Sequence, residues 1–480
     1  MPIEREMRRR VPLVLVPALS LALVLFAAPA ATPAGAATSA TQTRPAAHLP
    51  TGLAVPAGLP THLALGLAAA PDSSELYGWL PNSGIPWDYA YQYLSGGANT
   101  SSGWRTWNTL ARFPLWYAQG AHEKGYIPFF SYYQMLQSTG PCGSCPEPQK
   151  DLAHLNSEAL MKTYYTDFAT LMKRLGPKTW NGVKGFGGLA VVQVEPDLSG
   201  YAEQAVIQPS AHCYGHCTGG ANNPSNLKAA VSDSGNGQVA GYGNTYKGFN
   251  EALLHIRDLY APNVLLAFHV SDWATLYDVG SSTDPSLNAT ALGTKAGSFA
   301  AASGTVKQRT DTSAYNLVTN DVADRDAGYY EDVYGRDVWW DRLNVTFPNF
   351  HRWEAYVHAV TIAATRPAIV WQIPLGNQYF DTEDNTDGHY QDNRVEYFLA
   401  NPGELVNAGV IGLLFGRGNG GSTTYTDDQG DGITNPASFC TTDGVSSGTV
   451  CDTNASSSSD DDGGYLRMAA AAYYASPTPL

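Results

Sequence analysis

Leu189-Ala190-Val191-Val192-Gln193-Val194-Glu195-Pro196-Asp197 is a short apolar run that stops at two carboxylates separated by a proline. It is too short and too β-branched for a helix, and reads as a strand buried on both faces. Alternation sends Val192 and Val194 to one side and Gln193 and Glu195 to the other. Pro196 has no N–H for a strand ladder, so the strand ends there and Asp197 enters the following loop.

Similar runs recur along the chain at 63–67, 88–93, 127–133, 264–270, 315–320, 368–372 and 410–415, making eight with 189–195. Between several of them lie stretches with helical spacing: 151–175, 246–260, 350–366 and 393–407, with a last one at 464–475. Strands alternating with helices imply parallel pairing through βαβ units. Eight such units favour an α/β fold of the (β/α)8 TIM type, one domain with long βα loops. An open doubly wound sheet is the alternative.

The N-terminus has a different character. Arg8-Arg9-Arg10 precedes an apolar run interrupted by Pro12 and Pro17, and Ala34-Gly35-Ala36 follows. That pattern predicts a cleaved export signal over 1–36, hence a secreted, extracellular protein. An Ala/Thr/Pro-rich leader is expected over 37–61 and the barrel over 62–480.

The formal net charge is -15 with only 15% charged residues. Nucleic acid and anionic membranes attract basic surfaces, so neither is an expected partner. By contrast, 28 Tyr and 11 Trp offer apolar rings with polar edges. Such rings suit a poly- or oligosaccharide, whose C–H faces stack while its hydroxyls need polar partners. The six cysteines fall into near neighbours, Cys142 with Cys145, Cys213 with Cys217 and Cys440 with Cys451. In an exported chain these predict local disulfides. Cys213, His216 and Cys217 with His212 form the competing metal-ligand set.

In a barrel of this type the chemistry gathers at the C-terminal ends of the strands. Those ends carry Tyr133-Gln134, Glu195-Pro196-Asp197, His269 with Asp272-Trp273, Asp321 with Asp326, Trp371-Gln372 and Arg417. Cleaving a glycosidic bond needs two carboxyl groups, one to protonate the leaving oxygen and one to attack or to activate water. Glu195 is the expected acid, and Asp321, Asp197, Asp272 or Asp326 the expected partner. Tyr133, Gln134, His269, Trp273, Trp371, Gln372 and Arg417 are expected to hold the substrate, and no cofactor is expected. Asp427 to Gly432 begins like a calcium loop but has Ser438 where an acidic twelfth residue belongs. No GxSxG elbow or HExxH motif occurs.

Val194-Glu195-Pro196-Asp197-Leu198 resembles the Glu-Pro-Asp strand end of the family 6 cellulases. Ala323-Asp324-Arg325-Asp326 resembles their Asp-Arg-Asp element, in the reverse chain order. The resemblance implies a secreted barrel hydrolase of polysaccharides. In the large retaining superfamily of barrel hydrolases, glutamates end strands four and seven; here strand seven ends in Gln372.

Overall fold

The computed structural model describes residues 47–71, 75–323, 326–375, 392–416 and 465–480. Eight parallel strands close into a ring in chain order. They are β1 (Ala64–Ala68), β2 (Tyr89–Leu94), β3 (Ile127–Tyr132), β4 (Ala190–Val194), β5 (Val264–His269), β6 (Leu317–Asn320), β7 (Ala368–Ile373) and β8 (Val410–Phe415). The ring closes where β1 pairs with β8, Ala64 opposite Gly412. The (β/α)8 architecture expected from the spacing is therefore present, and the open sheet is excluded.

The outer layer includes α1 (Phe113–Glu123), α2 (Glu147–Leu155), α3 (Glu158–Leu175), α4 (Pro196–Ile207), α5 (Tyr246–Tyr260) and α6 (Ala289–Ala300). It continues with α7 (Ala327–Tyr334), α8 (Phe350–Ala364), α9 (Arg394–Ala400), α10 (Pro402–Asn407) and α11 (Tyr465–Tyr474). Two stretches expected as single helices are each broken in two. Ser157 caps α3 by accepting the Leu160 N–H, which ends the run from α2. Pro402 cannot donate into α9 and instead opens α10.

Tyr89, Tyr91, Phe129, Val191, Leu317, Ile369 and Leu414 fill the barrel interior. These rings fit because β1 carries Gly66, where a Cβ would stand 2.5 Å from the Tyr89 Cβ. The stretch expected as a free leader is packed from Ala47 onward. Leu59 is buried, and Leu49 and Val55 lie against the inner cluster with Ile127, Leu189 and Leu265. Their apolar surface covers the N-terminal floor of the barrel, which water would otherwise wet.

Cys142–Cys145 and Cys213–Cys217 are disulfides. Joined sulfurs offer no thiolates, so the alternative metal set with His212 and His216 is excluded. Cys440 and Cys451 lie outside the described residues, as do Arg417 and the calcium-like stretch from Asp427. Among the described residues, no helix is long and apolar enough to cross a membrane.

Candidate active site

The inward residues of β4 behave as alternation requires up to Gln193, whose amide meets His269 Nδ1 and Thr319 Oγ1, each at 3.0 Å, inside the barrel. Glu195 breaks the pattern. Its backbone is left-handed, with φ 43° and ψ 69°, a conformation that costs a non-glycine residue about 1–2 kcal/mol. The turn rotates the side chain out of the mouth and into the layer behind it. There the carboxylate accepts the N–H groups of Gln134 (3.0 Å) and Met135 (3.1 Å) and the Tyr164 hydroxyl (2.9 Å). Burial pushes its carboxyl up to about 7, against the lowering effect of those bonds. Glu195 is thus a latch between β4, α3 and the loop after β3, and it does not line the cleft.

The cleft itself opens at the C-terminal ends of the strands, with a volume of about 700 Å³. Its walls carry the rings of Tyr93, Tyr133, Tyr201, Trp273 and Trp371, and the amides of Gln137, Gln204 and Gln372. Three carboxylates face it: Glu147, Asp197 and Asp321. Among the described residues, no Lys or Arg lines it, and the adjoining recess that shares Asp321 and Trp273 holds Arg336 and Arg394.

Asp321 directly follows β6 and is held from two sides. Its Oδ1 accepts the Asp272 N–H at 3.2 Å, and its Oδ2 stands 3.9 Å from His269 Nε2. His269 is buried, with Nδ1 3.1 Å from Thr319 Oγ1 and its ring edge-on to Trp371. With Nδ1 occupied by that network, Nε2 is the nitrogen left to face Asp321. Asp197 sits in the first turn of α4, where the free N–H groups favour an anion. Glu147 begins α2 and accepts the Tyr133 hydroxyl at 2.5 Å.

Of the residues singled out in the sequence, the structure brings Asp197, Asp321, Tyr133, Trp273, Trp371 and Gln372 around one cavity. Other expectations fail. Gln134 is buried and donates its amide to the Leu94 carbonyl, away from the cleft. His269 stands behind Asp321 and is absent from the lining. Asp272 faces a smaller recess of about 70 Å³, which also holds Asp278, Arg336 and Arg394. Asp326 is buried just before α7 and lines neither cavity.

Several lining residues were not anticipated. Tyr201 and Gln204 share one face of α4 with the expected Asp197, at i+4 and i+7 from it, a helical signal present in the sequence. Tyr93, at the end of β2, follows from the same strand-end rule that selected Tyr133. Glu147 gave no such signal, because a long loop separates it from β3.

Trp273 is the best-built stacking face. It packs against Tyr201 with ring centroids 5.0 Å apart and lies over Gly200, where a Cβ would meet the indole at 2.5 Å. Trp273→Ala is expected to raise KM for a cleaved oligosaccharide about tenfold, with kcat changed less. Steady-state kinetics on one substrate checks this, and an unchanged KM removes the ring from the binding surface.

No protein-family model and no curated protein matches the sequence, and the likeness to family 6 cellulases stays one of two short motifs. Several solved structures are similar to this chain at low identity. A Cellulomonas fimi endo-β-1,4-mannanase double mutant is 10% identical, with 75% of this chain and 66% of that one covered and a TM-score of 0.38. An exo-β-1,4-mannosidase from an Opitutaceae bacterium is 12% identical over 74% of this chain and 52% of its own, with a TM-score of 0.35. A putative phosphonomutase from Burkholderia cenocepacia is 9% identical over 74% of this chain and 88% of its own, with a TM-score of 0.29. The chain spans about half the length of the mannosidase.

Proposed function

We propose that this chain is an exported hydrolase of neutral poly- or oligosaccharides, with Asp197 and Asp321 as its carboxylate pair. One observation carries the reading: an open cleft whose lining, among the described residues, combines five aromatic rings, three amides and three carboxylates without a Lys or Arg. Rings accept the apolar faces of sugars, while amides donate to and accept from their hydroxyls. Uronates, phosphates and sulfates would meet these three carboxylates with no cation among the described lining residues to offset them. In the proposed reaction one aspartic acid protonates the glycosidic oxygen as the C–O bond breaks. The other carboxylate attacks the anomeric carbon or takes a proton from the attacking water. Glu147, held by Tyr133, contributes a third acceptor for sugar hydroxyls. Residues 1–36 are the proposed export signal, and the two disulfides fit an oxidising destination.

A second reading, capture of a sugar without cleavage, is favoured by Gln372. This amide ends β7 and lines the cleft, where a carboxylate would have been needed to supply a nucleophile from that strand. The two readings separate in one experiment. The chain is incubated with a panel of neutral and uronic polysaccharides while reducing ends are counted, and the same polymers are cast into affinity gels. New reducing ends from neutral polymers establish hydrolysis. Retardation without new ends establishes capture. Neither response, or a response to uronic polymers alone, overturns both.

A further inference from the structure

In the outer helix layer, α8 and α10 bring together His351, Glu354 and Glu404, none of which lines the cleft. None of them has a part in the proposed chemistry. We propose that they form a binding site for a divalent transition-metal ion of the zinc type, which ties α8 to α10.

The geometry supplies three donors at one point. One ligand atom from each residue lies within 4.8 Å of the other two, and His351 Nε2 is 3.6 Å from Glu404 Oε2. His351 and Glu354 are three residues apart on one helix, so their side chains share a face. Bonds of about 2.0–2.2 Å to a tetrahedral ion hold ligand atoms about 3.4 Å apart. The His351–Glu404 pair is already near that spacing.

Glu354 is the second, independent sign. Its side chain is 8% exposed, and its Oε1 has no hydrogen-bond partner. Buried carboxylate oxygens are ordinarily bonded, because stripping their water without replacement is costly. The charge bearing on Glu354 is that of Glu404, of the same sign. A cation between the two carboxylates removes the repulsion and gives the buried Glu354 carboxylate a partner.

An outer layer that aims the donors is in place as well. Tyr397 donates its hydroxyl to Glu404 Oε2 at 2.9 Å, receives the Asn344 amide at 2.9 Å, and stacks on Phe350 with centroids 3.7 Å apart. Asn344 Oδ1 also accepts the backbone N–H of His351 at 2.9 Å. Groups of this kind fix ligand orientation at metal sites. One imidazole and two carboxylates, with a position left for water, suit Zn²⁺. Ca²⁺ and Mg²⁺ prefer oxygen donors throughout.

The test uses the full chain, stripped with a chelator, desalted and titrated with Zn²⁺ in competition with a chromophoric chelator. One equivalent is expected to bind, and Tm to rise by about 3 °C at a hundredfold excess over Kd. Ca²⁺ and Mg²⁺ are expected to leave Tm unchanged. His351→Ala changes an exposed side chain, so the fold survives it; the variant is expected to bind Zn²⁺ at least tenfold more weakly and to lose the Tm rise. Glu354→Gln is expected to do the same. Equal Zn²⁺ affinity in wild type and His351→Ala, or no binding by wild type, overturns the proposal.

Discussion

Asp321→Asn lowers the rate of reducing-end release about 1,000-fold or more while KM stays within about threefold, and Asp197→Asn does the same. A positioned acid or base contributes roughly 10²- to 10⁴-fold, and a carboxamide performs neither role. The fold tolerates the first change because an asparagine oxygen still accepts the Asp272 N–H that now bonds Asp321 Oδ1. Glu195→Gln provides the contrast. It lies behind the cleft wall, so the folded variant keeps its rate within about threefold. Initial rates on one neutral polymer, with circular dichroism as a fold control, check all three. A dead Glu195→Gln beside an active Asp321→Asn would return catalysis to the strand-four glutamate and overturn the assignment.

Glu195→Ala, in turn, destabilises the barrel by about 3–5 kcal/mol, enough to move the urea midpoint clearly. The substitution leaves the N–H groups of Gln134 and Met135 and the Tyr164 hydroxyl buried without their acceptor, at about 1–3 kcal/mol each before relaxation. The same latch gives stability a pH dependence of definite sign. Burial pushes Glu195 up to about 7 and Glu203, on α4, up to about 8. The native state therefore holds protons that the unfolded chain releases above about pH 4.5. Their contribution is full below that pH and is lost as pH rises through 7 to 8, by an order of 3 kcal/mol for Glu195. Urea midpoints measured from pH 5 to 8 are expected to fall, and to fall less in Glu203→Gln. A flat wild-type profile would show that neither carboxyl holds its proton when folded.

The contrast between Glu195 and Asp197 shows why the site was only half legible. Both were visible as acidic residues at the end of an apolar strand, and the alternation that placed Gln193 inside the barrel is correct. Alternation holds only while the backbone stays extended. At residue 195 the chain turns left-handed, and a glutamate expected in the mouth faces α3 instead. Gln372 is left-handed too, yet it remains in the cleft wall. Backbone angles at single residues follow from the packing around them, and strand periodicity does not carry them.

The site between α8 and α10 had no local signal of comparable strength, since His351-x-x-Glu354 is an ordinary helical spacing and Glu404 stands fifty residues further on. Its donors meet because α8 and α10 pack side by side, a contact between distant segments.

Linear order alone was enough for the closed barrel and for its eight strands within a residue or two. Those features repeat with short periods, and burial of apolar faces enforces them locally. The choice of Asp197, Asp321 and Glu147 over Glu195, Gln134 and Asp326 as cleft residues came only with the folded chain. Which side chain faces a cavity depends on turns, caps and loop returns that balance contacts between segments far apart in sequence, and no short window of residues contains both partners of such a contact.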